Sequence, residues 1–247
     1  MFPPKIRKSV MKNLRKLYFG IRLLALLPKL GAMKPNNADY SSKATHCRTE
    51  VDSLRQLFNH HGSDKAIMHN YFEIYAPVLG ELTGGEIRVL EIGLGTNNAK
   101  IPSNMGGFFT PGGSLRAIKD FVPNAEIYGA DIDHEILFNE TNIQTCWIDQ
   151  TKTRTYGQLR RLLQGKSLDI VIVDGLHQPF ADLNSLCALL PYIKKFGYLF
   201  IEDIEDSRLV LLIWAIISKL LPSKHYKTDL LRMKGGYIFQ VARVDFG

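Results

Sequence analysis

From residue 87 to residue 204 the chain alternates between short apolar runs that read as strands and amphipathic runs that read as helices. The strand-like runs are IRVLEIG (87–93), AEIYGADID (125–133), CWID (146–149), LDIVIVDG (168–175) and GYLFIEDI (197–204). Helical spacing falls between them, over about 115–121, 156–163 and 181–190. Such alternation predicts a parallel sheet covered by helices on both faces. The tail differs, because HYKTDLLRM and YIFQVARV are separated only by a Gly-rich turn. Strands joined so tightly must pair antiparallel, so the expected α/β sheet is mostly parallel and ends in a C-terminal hairpin.

The strand ends carry the chemistry. VLEIGLGT places Gly93 and Gly95 directly after an apolar strand, where missing side chains let a ligand approach the backbone. Asp131 ends the next strand, where an acid can accept hydrogen bonds from a ribose. A dinucleotide site would open a helix promptly to receive pyrophosphate, whereas here some seventeen loop residues intervene before SLRAIKDF. That delay suits a nucleoside ligand without pyrophosphate, such as S-adenosylmethionine, better than NAD.

LDIVIVD and YLFIED both end in carboxylates, Asp174 on one and Glu202 with Asp203 on the other. If the two strands are neighbours, their ends lie about 5 Å apart. Acids so close require protons, a basic residue or a cation between them. An all-oxygen set favours a hard ion such as Mg2+. His177, three residues past Asp174, is placed to take a proton from a substrate hydroxyl. His60, His61 and His69 have no comparable company, and His60 and His61 read as helix-end residues.

The chain's net charge of +7 suggests nucleic acid until the charges are located. Nine bases and no acid lie within residues 1–37; removing them from the 31 basic residues leaves 22 against 24 acidic ones. The body is therefore not basic, and no nucleic-acid partner is expected. Residues 6–24 set Ile6, Val10, Met11, Leu14, Leu17, Tyr18, Ile21 and Leu24 at helical spacing among Lys and Arg, a basic amphipathic helix. Its most apolar stretch, LYFGIRLLALLP, contains Arg22 and falls short of the roughly twenty residues a membrane span needs. Residues 1–30 can lie on an anionic membrane surface, pack on their own domain, or meet a second subunit of a homo-oligomer. Three cysteines without metal-ligand spacing fit a reducing, cytoplasmic setting. We divide the chain into the basic helix and linker, 1–49, and a catalytic domain, 50–247. The run EDSRLVLLIWAIISKLL (205–221) predicts a helix apolar all round, with Trp214 and its neighbours needing cover beyond the sheet.

With these residues assembled, the chain resembles the metal-dependent sugar O-methyltransferases of macrolide biosynthesis, within the class I S-adenosylmethionine-dependent methyltransferases. The likeness covers about residues 60–245 and is carried by HGSDKAIMHNYFEIY, VLEIGLGT, GGSLRAIKDFVPNAEIYGADID, DIVIVDGLH and YLFIEDI. The resemblance implies a Rossmann-like fold, S-adenosylmethionine and Mg2+ as cofactors, and a sugar-containing acceptor. It implies that Asp174, Glu202 and Asp203 hold the metal and that His177 is the general base. The cofactor would be held by Gly93, Gly95 and Asp131 with Asp149 near the adenine; Ser63 and Lys65 of GSDK, and Glu91, would lie near it. Two other readings remain open from the residues: a nicotinamide-dependent oxidoreductase on the same sheet, and a methyltransferase acting on a catechol-like diol.

Overall fold

The computed structural model describes residues 47–82 and 85–244. The basic N-terminal segment and the proposed 1–49 boundary lie largely outside the described residues; two units are distinguished, 1–35 and 36–247, and the description below concerns the second.

Among the described residues two helices come first, α1 (Arg48–His60) and α2 (Phe72–Glu81), joined through a single 3-10 turn, Asp64–Ala66. Then follow β1 (Arg88–Ile92), α3 (Gly113–Phe121), β2 (Glu126–Asp131), β3 (Asn139–Glu140), β4 (Ile143–Trp147), α4 (Tyr156–Leu163) and β5 (Leu168–Val173). The chain ends with α5 (Pro179–Leu189), β6 (Ile193–Ile204), α6 (Arg208–Leu220), β7 (Tyr226–Met233) and β8 (Gly236–Arg243). The eight strands form one sheet in the order β3-β4-β2-β1-β5-β6-β8-β7. β4, β2, β1, β5 and β6 run parallel, and β8 and β7 close the far edge as the antiparallel hairpin expected from the Gly-rich turn.

Every residue of β5 is buried, which explains why IVIV, 170–173, reads as a continuous apolar run rather than an alternation: helices cover both faces. The alternation appears in the packing instead. Val89, Ile170, Ile172 and Phe200 point into a core shared with α1, α2 and α3, while Leu90, Val171, Val173 and Leu199 point into a second core under α4, α5 and α6. The chain runs outward from β1 through β2 to β4, then returns to the other side of β1 as β5. That reversal opens a crevice at the carboxyl ends of β1 and β5, where open α/β sheets take their ligands.

Two sequence expectations change here. Helix α2 escapes the periodicity argument because FEIYAPVLGE is buried along nearly its whole length and has no polar face to reveal a helical repeat. Trp214 is covered: it is 1% exposed, its ring centroid lies 4.8 Å from that of Phe239 of β8, and Ile216 and Ile217 of α6 are buried with it. The outward apolar residues of α6 are Leu209 and Leu220, 68% and 60% exposed.

Candidate active site

Gly93 leaves β1 with φ +91°, and a Cβ there would land inside the backbone carbonyl of Asp174 and 2.8 Å from the Cα of Gly175. The missing side chain therefore serves the close approach of two chain segments, in addition to lining the crevice. Gly95, at φ +77°, would meet only the flexible end of Met105. Asp131 holds this loop: its two carboxylate oxygens accept the N–H of Leu94 at 2.6 Å and of Asp133 at 2.8 Å. Asp149 lies two residues past the end of β4 and accepts from the Thr151 N–H at 2.9 Å and the Lys152 ammonium at 2.5 Å. Gly93, Gly95, Asp131 and Asp149 all line one crevice, together with Asp174, His177 and Asp203.

Ser63, Lys65 and Glu91 do not line it. They are buried behind it, while Asp64 of the same GSDK element does line it. The Ser63 hydroxyl caps the 3-10 turn by accepting the N–H of Lys65. Lys65 is 1% exposed, and its ammonium donates to Asp174 Oδ2 and Glu202 Oε2, each at 2.5 Å, with Glu91 Oε1 at 3.3 Å. Burial opposes the ammonium's charge, but Asp174, Glu202 and Glu91 outweigh it and hold the pKa well above the ordinary lysine value. Burial pushes Glu91 up to about 7 against the pull of Lys65, while Ser114 donates to its other oxygen at 2.5 Å. Of the means by which clustered acids can be neutralised, this group uses a basic residue.

The two acids at the end of β6 separate at a break in strand register between Ile201 and Ile204. In a regular strand, Glu202 and Asp203 would face opposite sides of the sheet. Here Asp203 adopts a left-handed φ of +53°, and both side chains reach tyrosines of the α2 region. Glu202 is buried, one oxygen taken by Tyr75 and the other by Lys65. Burial, and then the charge of Asp174, raise its pKa well above the usual carboxylate range. Asp203 receives the hydroxyl of Tyr71 and turns its other oxygen to the crevice. Asp174, Asp203 and His177 thus offer ligand atoms within 4.8 Å of one another, the cluster among the described residues suited to a metal ion. Glu202, expected as a ligand, has its two oxygens on Lys65 and Tyr75 and is not among the three residues of that cluster.

His177 also has a left-handed φ, +53°, in the loop after β5. Its Nε2 stands 3.8 Å from Asp174 Oδ1 and 3.8 Å from Asp203 Oδ2, whereas its Nδ1 is buried with no hydrogen-bond partner among the described residues. Backbone strain of this kind persists only where neighbours enforce it. Gln150 is one such neighbour, accepting the N–H of Leu176 at 2.8 Å and donating to Ser185 at 3.0 Å.

Sequence reasoning missed the tyrosines, Gln150 and His69. His69 is stacked on Tyr71, with centroids 4.6 Å apart, and its Nδ1 lies 3.4 Å from Asp203. The only available signal was its place within HGSDKAIMHNY, eight residues from His61 in a stretch without strand or helix periodicity. His60 and His61 do end α1, as expected.

No family model matches the chain. It is 29% identical over 161 residues to the 8-demethyl-8-alpha-L-rhamnosyl tetracenomycin-C 2'-O-methyltransferase of Streptomyces olivaceus, covering 64% of this chain and 39% of that protein. It is 30% identical over 161 residues to the mycinamicin VI 2''-O-methyltransferase of Micromonospora griseorubida, covering 64% of this chain and 37% of that protein. The chain therefore spans well under half the length of the curated relatives it matches. Among solved structures, the MycE methyltransferase of mycinamycin biosynthesis with Mg and SAH superposes with a TM-score of 0.59 at 26% identity, over 78% of this chain and 54% of that one. In a second structure, the same enzyme holds Mg, SAH and mycinamycin VI. The chain shares the fold of that methyltransferase, and by sequence it resembles the mycinamicin and tetracenomycin sugar O-methyltransferases.

Proposed function

We propose that this protein transfers a methyl group from S-adenosylmethionine to a sugar hydroxyl of a glycosylated acceptor, with Mg2+ at the acidic cluster. The observation that carries the reading is a crevice lined by Gly93, Gly95, Asp131 and Asp149 together with Asp174, His177 and Asp203. The donor set fits the ion, since two carboxylates fixed by Lys65 and Tyr71 turn oxygens toward the same point. Asp174 and Asp203 would hold the ion directly, while Glu202 shares the Lys65 ammonium with Asp174. When bound, the ion lowers the pKa of an acceptor hydroxyl and fixes its direction, while the sulfonium supplies an already activated methyl.

The chain's own residues orient the reactants and move one proton. Asp131 and Asp149 offer acceptors for the nucleoside hydroxyls and amine along the crevice. The acceptor hydroxyl gives its proton to His177 Nε2, and the resulting imidazolium is stabilised by Asp174 and Asp203, each 3.8 Å away. The long loop between β1, ending at Ile92, and α3, beginning at Gly113, brings no prompt helix N-terminus to a pyrophosphate, which favours methyl transfer over a nicotinamide-dependent reaction on the same sheet. We further propose that residues 1–30 hold the enzyme against an anionic membrane surface, since their bases are uncompensated.

The test is methyl transfer from labelled S-adenosylmethionine to rhamnosides, with and without EDTA. Asp174→Asn should abolish turnover with cofactor affinity nearly intact, and His177→Ala should lower kcat by about 10²- to 10⁴-fold. Full activity in excess EDTA would sink the metal-dependent reading. Wild-type kcat in the His177 variant would move the base elsewhere.

A further inference from the structure

Resting on that reading, we infer that Ile67 and Met68 form an apolar ledge at the mouth of the site, and that it receives the non-sugar, apolar part of the acceptor. The two are consecutive, and 53% and 56% exposed. Single exposed apolar residues need no explanation. This pair stands between two residues of the reactive end: Asp64, three residues before Ile67, lines the crevice, and His69, next to Met68, lies 3.4 Å from Asp203. A side chain on residue 68 is thus one Cα step, about 3.8 Å, from a residue that touches the metal cluster.

The ledge is also held still. The carbonyl of Asp64 accepts the N–H groups of Ile67 at 3.0 Å and Met68 at 2.9 Å. From the far end of the chain, the turn between β7 and β8 grips the same segment at three points. The Lys234 ammonium donates to the Ile67 carbonyl at 2.8 Å, the Lys234 N–H donates to Asn70 Oδ1 at 2.9 Å, and His69 Nδ1 meets the Lys234 carbonyl at 3.2 Å. Gly235, at φ +96°, keeps that turn close, since a Cβ there would fall 3.3 Å from the His69 ring. The segment's polar backbone is engaged, and its two apolar side chains are the part turned outward. On this inference, a sugar whose hydroxyl reaches His177 carries the rest of its molecule out past Asp64 and over this pair. Burying an alkyl or ring face against a preordered apolar pair costs little ordering entropy and returns affinity in proportion to area.

The experiment uses the full chain with Mg2+ and S-adenosylhomocysteine, and measures Kd calorimetrically for octyl and methyl α-L-rhamnopyranoside. The wild type should bind the octyl glycoside about tenfold more tightly. Ile67→Ser/Met68→Ser, at exposed positions that do not support the core, should erase that preference while leaving the methyl glycoside and S-adenosylhomocysteine Kd values unchanged. The ledge is overturned if the wild type shows no preference, including by binding neither glycoside, or if the double variant keeps the preference. Methyl transfer to the same two glycosides is scored separately. An octyl preference that depends on Ile67 and Met68, with no transfer to any rhamnoside, would leave the ledge standing and reject the sugar-methylation reading.

Discussion

Lys65 shows what a single buried charge can organise. Its ammonium touches Asp174 and Glu202 and stands near Glu91, so acids delivered by β1, β5 and β6 converge on one cation without mutual repulsion dominating. Asp182 is the contrasting case, a carboxyl 4% exposed on α5. Burial, and then the negative charge of Asp174, push its pKa up to about 8. In the unfolded chain an aspartate ionises near 4. The folded state therefore holds an extra proton between about 4 and 8, so this group's contribution to stability is complete below the lower value and is lost as pH rises through the upper. Asp182→Asn should remove that dependence, with a melting temperature above wild type at pH 8 and a gap that narrows toward pH 5. Parallel profiles for the two proteins would show that Asp182 is already ionised. Asp174, His177 and Asp203 were legible in the sequence because strand ends announce them, whereas Asp182, Tyr71 and Tyr75 were not, because nothing local marks a polar group that another element will bury.

At the scale of elements, the site depends on two departures from regular strand geometry: the register break that turns Glu202 and Asp203, and the contact of β1 with the loop after β5. Glycine in a strand-end loop signals permissive backbone, but only the fold says what the space is for. At Gly93 the obstacle to a side chain is the main chain of Asp174, and at Gly95 it is the movable end of Met105. Gly93→Ala should accordingly destabilise by more than the 1 to 3 kcal/mol of ordinary overpacking, about 3 kcal/mol or above, and disturb the metal-facing oxygens with it. Gly95→Ala carries the same left-handed φ but a softer obstacle, and should cost about 1 kcal/mol. Urea unfolding of the two variants is the measurement, and equal costs would contradict the contact at Gly93. The parallel strands and closing hairpin were readable from apolar runs and turn chemistry. The register break was not, since YLFIEDI carries no glycine or proline to mark it, and the left-handed turn at Asp203 is enforced by partners far along the chain.

The whole molecule joins a sheet whose ligand crevice follows from strand order to an N-terminal segment of opposite character. Residues 1–37 carry nine bases and no acid, and no helix among the described residues is long and apolar enough to cross a membrane. Leu209 and Leu220 of α6 add outward apolar surface on the second unit. Each base near an anionic surface contributes about 1 kcal/mol, an attraction that salt screens within about 10 Å at 0.1 M. The full chain should therefore co-sediment with phosphatidylserine-containing vesicles at low salt, release as salt rises, and ignore neutral vesicles. A version starting at residue 47 should stay in the supernatant throughout, while keeping the methyl-transfer rate on a freely diffusing rhamnoside. If the shortened chain still binds, the apolar face of α6 is the anchor and the basic segment is not. If the full chain binds no vesicle at low salt, the membrane reading fails, and a light-scattering mass of twice the chain or more would assign the N-terminal segment to a second subunit instead.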